Sequence, residues 1–185
     1  TDGRGRYLGE FQGEDRILVV NKNGTYYTTD YDLSNHYEEG FSVIEKYEPE
    51  KVWSAVFFDA EQQFYYLKRF RFENVVRHTL FIGETEGSYL VALSGEKRPR
   101  FEVVFGGRYE SRPAEVIVAD EFIAEKSYKA RGKRVTTYEV KQISEIEPLD
   151  SGEEESEEAA LTDIDFEITN PDMLSDETQM RLDFE

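Results

Sequence analysis

Residues 16–29 read RILVVNKNGTYYTT. An apolar, β-branched run from Ile17 to Val20 meets Asn23-Gly24, and a second run rich in Thr and Tyr follows. Val, Ile, Thr and Tyr suit a pleated, half-buried surface, and Asn-Gly supplies the positive φ angles that tight hairpin loops require. The stretch therefore predicts a β-hairpin. Residues 51–70, KVWSAVFFDAEQQFYYLKRF, repeat the pattern around a polar turn at Asp59–Gln62. Residues 88–105, SYLVALSGEKRPRFEVVF, repeat it again around Ser94-Gly95-Glu96. Further strands are expected at Tyr7–Phe11, Phe41–Lys46, Ala114–Ala119 and Lys133–Tyr138. No amphipathic helix longer than two turns is expected before Pro148, so the fold class is all-β.

The three hairpins begin at residues 16, 51 and 88, a recurrence of 35 to 37 residues. A period of that length suits stacked or radially arranged β-units, none of which can bury its own apolar face alone. It equally suits a single sandwich or barrel with evenly spaced hairpins.

Of the chain's residues, 38% are hydrophobic and 14% aromatic, enough for a core built from Phe, Tyr, Val and Ile. No run of 18 apolar residues exists, so no membrane partner is expected. The absence of cysteine removes disulfides, thiolate nucleophiles and cysteine-ligated zinc, and a cytoplasmic location is the natural expectation. The start, TDGRGRYLGEF, carries no signal-peptide pattern and reads as part of a longer protein.

The net charge of −18 is unevenly spread. Residues 1–148 hold 21 Lys and Arg against 26 Asp and Glu, whereas residues 149–185 hold one Arg against 14 acids. Two regions follow: a body at 1–148, and an acidic tail at 149–185 with five Glu between residues 153 and 158. Such a composition buries too little apolar area to offset ordering entropy, so the tail is expected to be largely disordered.

Several long segments in order carry a family resemblance: RYLGEF (6–11), DRILVVNKNGTYYTTDYDLSNH (15–36), EKYEPEKVWSAVFFD (45–59), YYLKRFRFE (65–73) and KARGKRVTTYEV (129–140). Together they resemble the C-terminal domain of the DNA-cleaving A-subunit of topoisomerase IV, in its Bacteroidetes-type form, within the gyrase A C-terminal family. That resemblance implies a β-pinwheel, here partial or broken, in which propeller-like blades exchange strands and duplex DNA bends around a basic rim. The glutamine- and glycine-rich gyrase box is missing, and KARGKRV (129–135) looks like a degenerate blade motif in its place. This favours the topoisomerase IV branch, whose decatenation and relaxation do not depend on strong wrapping. The implied partners are double-stranded DNA, the remainder of the DNA-cleaving polypeptide, and the ATPase polypeptide of the topoisomerase. No cofactor is expected in this segment, because the catalytic tyrosine, ATP and Mg²⁺ would belong to other parts of the assembly.

Three basic clusters are the candidate DNA contacts. Lys68, Arg69 and Arg71 lie in YYLKRFRFE, where strand alternation puts Arg69 and Arg71 on one face and Lys68, Phe70 and Phe72 on the other. Lys97, Arg98 and Arg100 fall near a hairpin turn. Lys126, Lys129, Arg131, Lys133 and Arg134 form the densest run, with Arg4 and Arg6 as further contributors. An arbitrary Lys/Arg triplet is more often a solvated strand face with local ion pairs; the resemblance tips the 126–134 run toward phosphate contact. Without a recognition helix or zinc finger, binding should follow charge and shape and be independent of sequence.

An enzymatic role within this chain has little support. His36 and His78 lack metal-ligand spacing, and the abundant carboxylates form no recognisable acid–base pair. The tail carries two further expectations: that its acids compete with phosphates for the basic rim, and that Gln179, Leu182 and Phe184 form a short peptide of the kind that docks in the bacterial sliding clamp. Two other function classes remain open, a propeller-like protein-interaction module that docks chromosome-organising partners and touches DNA little, and a β-barrel with an enclosed ligand cavity.

Overall fold

The computed structural model describes residues 6–37 and 39–149. Strands β1 (Ile17–Asn21) and β2 (Thr25–Thr29) form the first hairpin, with Val20 opposite Tyr26. Its loop places Gly24 at φ +84°, and the Asn23 side chain accepts a hydrogen bond from the Thr25 amide at 3.1 Å. Strand β3 (Phe41–Lys46) pairs with β1. The second hairpin joins β4 (Trp53–Asp59) and β5 (Phe64–Phe70). Asp59 closes its turn, its carboxylate accepting from the amides of Glu61 and Gln62 at 2.9 and 3.2 Å.

The remaining elements are β6 (Thr79–Leu80), β7 (Tyr89–Ser94), β8 (Arg100–Phe105), β9 (Glu115–Val118), the single helical turn α1 (Ala119–Phe122), β10 (Lys133–Arg134) and β11 (Val140–Ile146). They complete three antiparallel sheets, ordered β3-β1-β2-β6, β10-β5-β4-β7 and β11-β8-β9. A common plan runs through all three. A hairpin supplies two strands, and the next strand in its sheet pairs with the first (β3 with β1, β7 with β4, β11 with β8). In the first two sheets a short strand from further along the chain pairs with the second: β6 with β2, and β10 with β5. The third sheet has no such strand beside β9 among the described residues. The fold is thus the expected all-β array of sheets linked by exchanged strands, and among the described residues no sheet closes into a barrel.

Burial explains why the apolar runs do not alternate. Leu18 and Val20 of β1 join Trp53, Ala55 and Phe57 of β4 in one cluster, completed by Tyr26, Phe70, Phe72 and Phe81. Val56 and Leu67, on the opposite face of the middle sheet, pack instead with Phe101, Val103 and Phe105 of the third sheet. Ile17 and Val19 face a third cluster with Ile44. Both faces of β1 and β4 are therefore buried, as a short continuous apolar run bounded by turn signals implies. Each fully buried ring contributes roughly 2–3 kcal/mol.

Four strand expectations are corrected. Ser88–Phe105 is not a hairpin: β7 joins β4 in the middle sheet, and β8 pairs with β11 and β9 in the third. The intervening Gly95–Pro99 is a crossover between sheets, and the third hairpin is β8–β9. Tyr7–Phe11 forms no strand, because Gly9 sits at φ +111° in its middle; Leu8 and Phe11 still cover Ile17 and Val19. The strand expected at Lys133–Tyr138 ends after two residues, and chain pairing resumes in the third sheet as β11. Ala119, expected to end a strand, is instead a buried residue opening α1.

Candidate nucleic-acid interface

After α1 the chain runs back along the outer side of β5. The Lys126 amide donates to Arg69 O at 2.8 Å, Lys133 and Arg134 pair with Leu67 and Tyr66, and the Val135 amide donates to Tyr65 O at 2.9 Å. The whole 126–134 run is thereby laid along one edge of the middle sheet. Two features fix the loop between these attachment points. Tyr128 plugs into the core, its ring 5.6 Å from Tyr26 and edge-on to it. Gly132 adopts φ +91°, and a Cβ there would lie 2.6 Å from Leu67 O, so only glycine lets the backbone approach so closely.

Lys126, Lys129, Arg131, Lys133 and Arg134 are all exposed, and among the described residues none of them forms an ion pair. Lys133 lies over the Phe122 ring at 4.2 Å, and Arg134 over Phe64 at 3.9 Å. Phe122 packs on the cluster shared with the third sheet and Phe64 on the cluster shared with the first, so the two cations flank opposite faces of the edge strand. The nearest carboxylates in sequence are engaged elsewhere. Glu125 binds Arg71 at 2.8 Å, and Asp120 and Glu121 bind Arg98 at 3.1 and 3.0 Å. Lys129 and Arg131 also line an open groove of about 710 Å³ whose other wall includes Asp59, Glu61 and Glu84. Acids therefore face that end of the run without touching it.

The other candidate cations have different surroundings. Strand alternation holds in β5, and its consequence is that Lys68 lies inside with Phe70 and Phe72, only 3% exposed. Its ammonium donates to the carbonyls of Phe81, Tyr128 and Ala130 and faces the rings of Phe57, Phe70 and Phe81. Burial pushes its pKa down to about 8, which still leaves it mostly protonated at neutral pH. This side chain is withdrawn from any surface contact. Arg69 donates to Ile123 O at 3.2 Å and is half-buried. Arg71 is neutralised by Glu50 and Glu125, at 2.7 and 2.8 Å. Arg98 is held by its two acids, and Arg100 donates to Glu147 O at 2.7 Å. Lys97 is exposed in the crossover loop. Arg6 is exposed, whereas Arg4, the acidic run, Gln179, Leu182 and Phe184 lie outside the described residues.

Sequence spacing separated the two histidines, yet His36 and His78 line one small recess, where His78 stacks on Tyr27 at 4.3 Å. No cluster of three or more His, Cys, Asp or Glu able to hold a metal occurs among the described residues. No helix among them is long and apolar enough to cross a membrane.

The family model described as Topoisomerase C-terminal domain, Bacteroidota, matches residues 1–147. Among solved structures, the crystal structure of the C-terminal domain of DNA topoisomerase IV is similar, with a TM-score of 0.48 and 13% identity over 76% of this chain. The chain spans about half, 49%, of the length of that structure's chain. No curated protein matches the sequence.

Proposed function

Because this chain belongs to the Bacteroidota topoisomerase C-terminal domain family, we propose that it is a non-catalytic DNA-binding accessory domain whose contact surface is the edge formed by residues 126–134. The observation that carries this reading is the run of five exposed cations on one sheet edge that form no ion pair among the described residues, beside carboxylates already bound to Arg71 and Arg98. Unpaired Lys and Arg can replace condensed counterions along a phosphate backbone, which gives affinity without base reading. Three of the five lie over aromatic rings, Lys129 over Tyr128, Lys133 over Phe122 and Arg134 over Phe64, which reduces the side-chain entropy lost on contact. Lys97 and Arg6, both exposed, are outlying contributors.

Within the DNA-cleaving polypeptide of a topoisomerase IV, such a surface would hold and bend a duplex near the strand-passage machinery, assisting decatenation and relaxation. Cleavage chemistry, ATP and Mg²⁺ would reside in the rest of that polypeptide and in its ATPase partner. The acidic tail would compete with phosphates for the same edge, and Gln179, Leu182 and Phe184 would dock in a sliding clamp.

The test is equilibrium binding to short duplexes of unrelated sequence. Replacing Arg131, Lys133 and Arg134 together by Ser should weaken binding equally for all of them, whereas Arg71→Ala should change little. Undiminished affinity in the triple variant would reject this edge as the contact surface.

A further inference from the structure

Lys68 is the one cation of the middle sheet placed wholly inside it, and nothing in the proposed DNA contact uses it directly. Its three N–H groups meet three carbonyl oxygens: Phe81 just after β6, and Tyr128 and Ala130, at 2.5 and 3.2 Å, within the cationic loop. No carboxylate binds it among the described residues. If this position served only to fill the core, Leu or Met would do so without the cost of burying a charge. What an apolar chain could not do is bind two carbonyls of one loop while also bonding the segment that follows an exchanged strand.

The loop has few other supports. Between the attachments at Lys126 and Lys133, its backbone hydrogen bond is the turn Ala130 N to Ser127 O at 3.0 Å, backed by the Ser127 hydroxyl accepting from the Lys129 amide. Its remaining anchors are the buried Tyr128 ring and the close approach at Gly132, where an added Cβ would stand 2.9 Å from Lys68 Cβ. The ammonium therefore sits at the root of the segment that carries Lys126, Lys129 and Arg131.

We propose that Lys68 is a positioning residue for the DNA-contact edge: its buried ammonium seats the 127–131 loop by its carbonyls, so that the neighbouring cations stand outward in one array. The proposal rests on the DNA-binding reading above and adds to it an internal cation that acts through the loop and never meets a phosphate. An unseated loop would keep every one of its charges but lose their shared alignment. Affinity would fall through fewer simultaneous phosphate contacts, with the net charge of the edge unchanged.

The chain contains no cysteine, so Lys68→Cys introduces a unique thiol. Alkylation in denaturant with 2-bromoethylamine, then refolding, rebuilds a lysine-length ammonium; 1-bromopropane gives a neutral chain of the same length. The aminoethyl protein should match wild type in duplex affinity and salt dependence. The propyl protein should bind with a log–log salt slope smaller by about 2, the loss of two contacts at about 0.9 each. The Lys126 and Ala130 amides should also exchange faster in it. A folded propyl protein with the wild-type slope overturns the proposal.

Should the propyl protein fail to fold, Gly132→Ala decides. It keeps the charge of Lys68 but crowds Leu67 O and Lys68 Cβ, forcing loop and lysine apart, and it must lower the slope similarly; an unchanged slope rejects the seat. Wild-type protein that binds no duplex at all would instead remove the DNA-binding reading. The seat would then stand or fall on amide exchange alone, with equal exchange in the propyl and aminoethyl proteins counting against it.

Discussion

Gly24→Ala tests the junction between the first hairpin and the exchanged strand. Gly24 holds φ +84°, and a Cβ built there stands 2.2 Å from both Cγ1 and Cδ1 of Ile82, a core residue 8% exposed. Ile82 is β-branched and stiff at χ1, so it cannot swing aside cheaply. Moving the backbone instead would strain the bond from the Phe81 amide to Gly24 O, 2.9 Å long, and the pairing of Thr25 with Leu80. A left-handed conformation costs a non-glycine residue about 1–2 kcal/mol, and overpacking adds about 1–3 kcal/mol, so a loss of roughly 3 kcal/mol is expected. For a domain of this size that corresponds to a fall in Tm of about 10 °C.

The assay is thermal and urea denaturation followed by circular dichroism, with Gly13→Ala as the control. Gly13 has φ +56° but nothing within 4 Å, so it should show the backbone term alone. Truncating Ile82 to Ala in the Gly24→Ala background should cost less than in wild type, a coupling of about 1 kcal/mol or more. Equal effects of the two glycine substitutions, or additive behaviour with Ile82, would refute the steric reasoning.

Arg98→Ala should destabilise the domain by roughly 1–2 kcal/mol, because it strips a partly buried Asp120 of its partner. Duplex affinity should stay within about twofold, since Arg98 is already neutralised; a larger loss of binding would place it among the contacts. Lys68 has a folded pKa of about 8, below the 10.5 of an open chain. The unfolded chain thus binds the extra proton between those values, and stability rises with pH through that window, the gain being lost as pH falls through 8. Measured against Lys68→Met, wild type should gain up to about 3 kcal/mol between these limits, and a pH-independent difference would contradict the assignment. Burial and its bond to Tyr89 push the Tyr65 phenol up to about 12. Tyr65→Phe should therefore remove one late phenolate from an alkaline absorbance titration; an undiminished late phase would count against it.

The sequence made the hairpins legible where one short segment holds the whole signal. Asn23-Gly24 sits between two β-rich runs, and Asp59 precedes a polar turn, so each closing chemistry is local. The crossover at Gly95–Pro99 shows the limit, because a turn signal says that the chain reverses or bends and not which sheet receives the next strand. The exchanged strands Thr79–Leu80 and Lys133–Arg134 are two residues long, too short for any periodicity, and exist only because β2 and β5 offer open edges. At the candidate site, the density of the 126–134 run was visible, and its freedom from ion pairs was not, since Glu125, Asp120 and Glu121 meet Arg71 and Arg98 only through the fold. Lys68 carried a usable signal. Alternation puts it on the same face as Phe70 and Phe72, and two large apolar neighbours mark that face as the inward one, which argues for a buried ammonium and against a surface contact. The convergence of His36 and His78 had no sequence signal, being set by where the segments after β2 and β5 lie in the fold.

The most direct measurement of the central claim is the salt dependence of duplex binding by wild type and by a variant with Lys126, Lys129, Arg131, Lys133 and Arg134 all replaced by Ser. Five phosphate contacts at about 0.9 each predict that the log–log slope of wild type exceeds that of the variant by about 4 to 5. Parallel slopes, with both proteins losing affinity alike as salt rises, would contradict the account and move the DNA contact to another part of the molecule.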